Sequence, residues 1–131
     1  MADHALGLLD TSCVIAYPED MTQLIERAVV STITVAELSF GLYHADPMES
    51  ASREILYRDV LSQFTVVPYS LRAAHLYGAI AEKVRRSGRN PRSRRIDLML
   101  ASVALELGAV LVTRNPADFT GFEDDVQIIP V

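Results

Sequence analysis

Short apolar runs alternate with longer amphipathic stretches along the chain, and this alternation constrains the fold more than any other feature. Leu6–Leu9 (LGLL), Val29–Thr32, Phe64–Val67, Val110–Thr113 and Val126–Ile129 are five such runs. Each is short, bounded by turn residues and mostly branched or leucine in composition, so each reads as a buried strand. Between them the apolar spacing becomes helical. Met21–Ala28 carries Leu24, Ile25 and Ala28 on one face; further helices run from Thr34 through VAELSFGLYHA and over roughly Met48–Gln63. Ser70 is placed to cap a helix in which Leu71, Ala74, Tyr77, Ala81 and Val84 share a stripe. The loop SGRNPRS separates it from a helix over about Arg95–Leu107 that stops at Gly108. Strands alternating with helices predict an α/β fold, a parallel sheet covered on both faces in three layers. With 131 residues, half of them hydrophobic, residues 1–131 suffice for one domain with an ordinary core.

Composition removes several function classes. The one cysteine, Cys13, excludes an internal disulfide and a cysteine-rich zinc site, and fits a reducing compartment. No stretch has the look of a signal peptide or the length of a membrane span, so a soluble, cytoplasmic protein is expected. The net charge of -5 argues against a nucleic-acid partner until its distribution is considered. Seven of the twelve Lys and Arg residues lie between Lys83 and Arg95: Lys83, Arg85, Arg86, Arg89, Arg92, Arg94 and Arg95. No acid interrupts them. Nearby charges dominate under screening, so this segment can attract phosphate, although a solvated helix end would look the same.

Parallel sheets place ligands beyond the carboxyl ends of their strands. Asp10 directly follows the first strand, and Thr113, Asn115 and Asp118 follow the fourth. Glu37 lies in the first turn of the helix after strand two, which begins where that strand ends. Asp97 opens a helix that feeds strand four through a short turn and so runs antiparallel to it. Its start therefore lies at the same edge. Each acid also has a purely structural reading: Asp10 as a helix cap, Thr34-x-x-Glu37 as a capping box, Asp97 as a partner of a helix dipole, Asp118 and Asn115-Pro116 as turn chemistry. Two considerations weigh the other way. DLMLASVALEL is so apolar that its helix must be largely buried, and an ionised carboxylate at its edge is costly unless paired or bound to a cation. Several like charges in one crevice call for a divalent ion, and oxygen ligands without matching His or Cys favour Mg²⁺ or Mn²⁺ over zinc. Acids for a metal beside arginines for a phosphate backbone make a nuclease site.

The set Leu8-Leu9-Asp10-Thr11-Ser12, Thr34-Val35-Ala36-Glu37-Leu38 with Gly41, Asp97 at the head of an apolar helix, and Thr113-Arg114-Asn115 with Asp118-Phe119 resembles the PIN domain. More narrowly it resembles the VapC-type toxins of type II toxin–antitoxin pairs. The resemblance spans nearly the whole chain with its motifs in order. It implies a five-stranded parallel sheet of order 3-2-1-4-5, Mg²⁺-dependent endoribonuclease activity, a homodimer and a cognate VapB-like antitoxin. Carried over by position, Asp10, Glu37 and Asp97 match the family's core acids. Many relatives have an acid where this chain has Asn115, and Asp118 is the nearest replacement; either completes the metal set. Thr11, Ser12 and Thr113 match supporting hydroxyl positions. Arg85, Arg86, Arg89, Arg92, Arg94 and Arg95 are candidate RNA-backbone contacts. An exposed loop of transfer or ribosomal RNA is the expected substrate, because unpaired bases are accessible there.

Two rival readings are compatible with the residues. A non-catalytic module would receive a basic side chain of an antitoxin or other regulator in the acidic crevice. A phosphoryl-transfer enzyme would use Asp10 as nucleophile, but no second aspartate follows two residues later and no lysine follows strand four.

Overall fold

The computed structural model describes residues 2–131. Five strands form one sheet of order β3-β2-β1-β4-β5, and every pairing is parallel. They are β1 (His4–Leu9), β2 (Ile25–Ser31), β3 (Thr65–Val67), β4 (Val110–Thr113) and β5 (Ile128–Pro130). The six α-helices among the described residues are α1 (Thr11–Ile15), α2 (Met21–Leu24), α3 (Thr32–Gly41), α4 (Pro47–Gln63), α5 (Leu71–Arg86) and α6 (Arg95–Leu107). The α/β class, the parallel sheet and its order are as expected.

The strands divide the core by their period of two. Leu8, Val29 and Leu111 face one side, packing with Ala73, Ile80 and Val84 of α5 and Leu98, Ala101 and Val103 of α6. Leu9, Val30 and Val112 face the other, against Cys13 and Val14 of α1, Leu38 of α3 and Val60 of α4. β1 and β4 pair in register, Leu8 beside Leu111 and Leu9 beside Val112, so Asp10 and Thr113 leave the sheet side by side. The α6 helix closes on Gly108, whose φ of 66° is the left-handed conformation that ends a helix at least cost to a glycine.

Several local expectations are corrected. The helix expected over Met21–Ala28 exists only as Met21–Leu24, and Ile25–Ser31 is strand. Strand five lies at Ile128–Pro130 instead of Val126–Ile129. On α5 the buried face is Ala73, Ile80 and Val84, whereas Leu71 and Ala74 are exposed. The capping box is absent: Ser31 caps α3, its Oγ accepting from Ile33 N at 3.0 Å. Helix α3 thus begins at Thr32, which puts Glu37 in its second turn.

Candidate active site

Each acid is delivered by a different element to the carboxyl end of the sheet. Asp10 sits where β1 turns into α1 and is buried. Its Oδ1 caps α1, accepting from Cys13 N at 3.3 Å and from Ser12 Oγ at 2.5 Å. Its Oδ2 accepts from Thr113 Oγ1 at 2.5 Å, across the seam between β1 and β4. The capping reading of Asp10 and its place in the site are therefore both satisfied. Thr113 Oγ1 also accepts from Asn115 N at 2.9 Å, which fixes the second residue of the following loop. Glu37 projects from α3 and accepts a hydrogen bond from Thr11 Oγ1 at 2.5 Å.

Asp97 stands in the first turn of α6, and Asp118 in the 3-10 turn Pro116–Phe119 after β4. These pieces enclose a cleft of about 160 Å³ lined by Asp10, Thr11, Ser12, Glu37, Asp97, Leu100, Asn115 and Asp118. All four acids expected at this edge line it, together with Asn115, Thr11 and Ser12. Thr113 lies just beneath, through its bond to Asp10.

The carboxylates repel one another. Burial is the largest influence on Asp97, followed by the charges of Asp118, Asp10 and Glu37. Together they push its carboxyl from 3.8 to about 6, against a smaller opposing effect of Arg94. Among the described residues none of the four acids makes a salt bridge. As placed, they also stand apart: no three Asp, Glu, His or Cys side chains among the described residues are drawn together tightly enough to enclose an ion. An all-oxygen set of carboxylates and an amide is nonetheless the chemistry that hard divalent cations prefer.

The basic segment is less free than its composition suggests. Arg85 and Arg86 both bond to Glu82 (2.5 and 3.1 Å) and hold it down to about 2, while Lys83 pairs with Asp125 at 2.7 Å. Arg94 turns inward, its Nη atoms donating to the Ala117 and Asp118 carbonyls at 3.2 Å and to Thr120 O at 3.5 Å. It thereby ties the start of α6, which carries Asp97, to the turn that carries Asp118. Arg89, Arg92 and Arg95 are exposed and make no salt bridge among the described residues.

Arg114 enters the sequence reading only as part of the Thr113-Arg114-Asn115 motif, with no role of its own. Its Nε and Nη2 both donate to the Ala16 carbonyl, at 2.9 and 2.6 Å, and its backbone N–H donates to Ser12 Oγ at 3.2 Å. The available signal was its position between Thr113 and Asn115. Cys13, on the buried face of α1, has its thiol raised by burial and Asp10 to about 11, the unreactive thiol of a core residue.

No curated protein matches the sequence. Solved structures do. The chain is similar to one in VapBC-5 of Mycobacterium tuberculosis, a member of the VapBC family of toxin–antitoxin systems, with 28% identity and a TM-score of 0.82 over 97% of this chain and 99% of that one. For VapBC-1 of nontypeable Haemophilus influenzae the values are 27% and 0.78, over 95% and 97%. For FitAcB of Neisseria gonorrhoeae they are 26% and 0.73, over 94% and 96%. The PIN domain family model matches residues 7–121, a span that runs from the second half of β1 through β4 and holds every acid of the cleft. By that match, and by the sheet order, the chain belongs to the PIN domain family.

Proposed function

We propose that this chain, a single PIN-like domain over residues 1–131, is a cytoplasmic metal-dependent endoribonuclease and the toxin of a toxin–antitoxin pair. The observation that carries the reading is the cleft itself: four acids from four separated segments, with no basic side chain among the described residues paired to any of them. Asp10, Asp97 and Asp118 would hold Mg²⁺, or Mn²⁺ in its place, with Asn115 as an alternative or additional oxygen ligand. When bound, such an ion supplies charge neutralisation and orientation at a phosphodiester. Glu37, exposed at the mouth and steadied by Thr11, would orient the attacking water and accept its proton. The water oxygen adds to phosphorus as the P–O bond to the leaving nucleotide breaks, and a proton passes to the departing oxygen. Thr113 and Ser12 occupy both oxygens of Asp10 and fix its rotamer, the task of the groups that support a metal ligand. Arg89, Arg92 and Arg95, exposed and without a salt bridge among the described residues, are the members of the basic segment offered to an RNA backbone; the other three assigned to that role, Arg85, Arg86 and Arg94, have partners within the fold. A looped transfer or ribosomal RNA remains the substrate to try first.

The relatives solved as VapBC complexes support a VapB-like antitoxin as partner. So does an open groove of about 630 Å³ beside the cleft, where Ile15, Leu38 and Leu56 stand next to Glu37 and Thr11. A homodimer is part of the same reading, supported by exposed Phe40, Tyr43 and Leu71.

Incubating total RNA and Mg²⁺ with wild type and Asp97→Asn tests the assignment. Wild type should cleave, and the variant should lose more than about 100-fold of that rate. Equal cleavage by both would remove Asp97 from the chemistry.

A further inference from the structure

Arg114 is exposed, lies one residue beyond Thr113 and is the kind of side chain that would be assigned to phosphate binding. Its guanidinium is otherwise employed. Two of its N–H groups converge on one acceptor, the carbonyl of Ala16, the residue that ends α1. Its backbone N–H reaches Ser12 Oγ, in the first turn of the same helix. The residue therefore holds α1 at both ends against the end of β4.

Helix α1 has only five residues and cannot hold its own shape in water. It nevertheless carries two hydroxyls that define the cleft: Thr11, which donates to Glu37, and Ser12, which donates to Asp10. Ser12 is the relay, since its oxygen accepts from Arg114 while its hydrogen points at Asp10. A clamp on α1 is thus a clamp on two acids at once.

We propose that Arg114 is a positioning residue of the acid site, holding α1 to β4 through the Ala16 carbonyl so that Ser12 and Thr11 keep Asp10 and Glu37 in place. The inference rests on the metal-site reading above and adds a residue to it. Lysine keeps the charge but cannot put two N–H groups from a rigid fork on one carbonyl oxygen, so charge and geometry can be separated.

The test uses the full chain with Arg114→Gln and Arg114→Lys. Amide hydrogen exchange of Cys13 and Ala16, without metal, reports α1; calorimetric titration with Mn²⁺ reports the acids; RNA cleavage at several salt concentrations reports kcat, KM and salt slope. In both variants we expect faster exchange at α1, Mn²⁺ binding weakened about 10-fold or more, kcat reduced, and KM and its salt slope unchanged. Unchanged exchange overturns the proposal whatever the metal does. Faster exchange with wild-type Mn²⁺ affinity overturns it too, as does full recovery by Arg114→Lys. A raised KM with a shallower salt slope would make Arg114 an RNA contact instead. If wild type itself binds no Mn²⁺ while exchange still responds to Arg114, the metal-site reading fails, and the role in the acid site with it.

Discussion

At Asp97 the packing of α6 and the charge of its first turn pull in opposite directions. The helix must bury Leu98, Leu100, Ala101, Val103 and Ala104, and this draws the carboxylate into a half-buried crevice with three other acids. Its carboxyl therefore titrates near 6 in the fold, against 3.8 as the ordinary value. The sign of the linkage follows. Between those values the folded chain holds a proton that the unfolded chain has released, so stability falls as pH rises through that window. Above about 6 both forms are ionised and the full penalty applies. A shift of this size corresponds to at most about 3 kcal/mol, and solvent at the cleft mouth reduces it to about 1–2. Metal-free Asp97→Asn should consequently melt several degrees above wild type at pH 7.5, with the gap closing near pH 4. Thermal denaturation across that range checks it; equal melting temperatures throughout would mean that neither burial nor the neighbouring acids penalise this carboxylate. The same measurement shows whether a loss of cleavage by this variant comes with a sound fold.

Among the elements, the pairing of β1 with β2 leaves least room. A Cβ built on Gly7 would lie 2.7 Å from Ile25 Cδ1 and 3.0 Å from its Cγ2, closer than packed atoms tolerate. Gly7→Ala should cost about 1–3 kcal/mol, and Ile25→Val, which deletes the nearest carbon, should recover part of it in the double mutant. Denaturant melts of the four proteins measure this; additive losses would contradict the contact. The same pairing explains where the sequence misled. Met21, Leu24, Ile25 and Ala28 have helical spacing, and exposed Glu26 and Arg27 break any alternation, so the strand was hidden until β1 claimed it through tertiary pairing. On α5, alanines at 73, 74, 79 and 81 lie on every face and leave the phase undetermined; contact with α6 chooses Ala73, Ile80 and Val84. Ser31 and Thr34 are both able caps, and the end of β2 favours Ser31. The acids were legible because each follows from chain direction alone: an acid after a strand, or at the head of a helix feeding one. The contacts between them were not. Thr113 with Asp10, Arg94 with the 116–120 turn and Arg114 with Ala16 are long-range choices of rotamer, and no spacing encodes them.

Over the whole molecule an acidic chain presents a local cationic strip beside an anionic cleft. The strip is not uniform. Arg86 shares Glu82 with Arg85, whereas Arg92, within the 3-10 turn Pro91–Arg94, makes no salt bridge among the described residues. Arg92→Ala should therefore reduce the slope of log K for RNA against log salt by about 0.7, and Arg86→Ala should leave it nearly unchanged. Filter binding of a stem-loop RNA in EDTA, at several salt concentrations, would show this; equal effects of the two substitutions would contradict the division. No helix among the described residues is long and apolar enough to cross a membrane. What most needs testing is whether the four acids close around a divalent ion. Calorimetric titration of Mn²⁺ into the whole chain at neutral pH decides it, with Asp10→Ala as the control. Saturable binding by wild type that the substitution abolishes is the predicted result. No binding, or the same heat from both proteins, would contradict it and leave the cleft as a docking site for a partner's basic side chain.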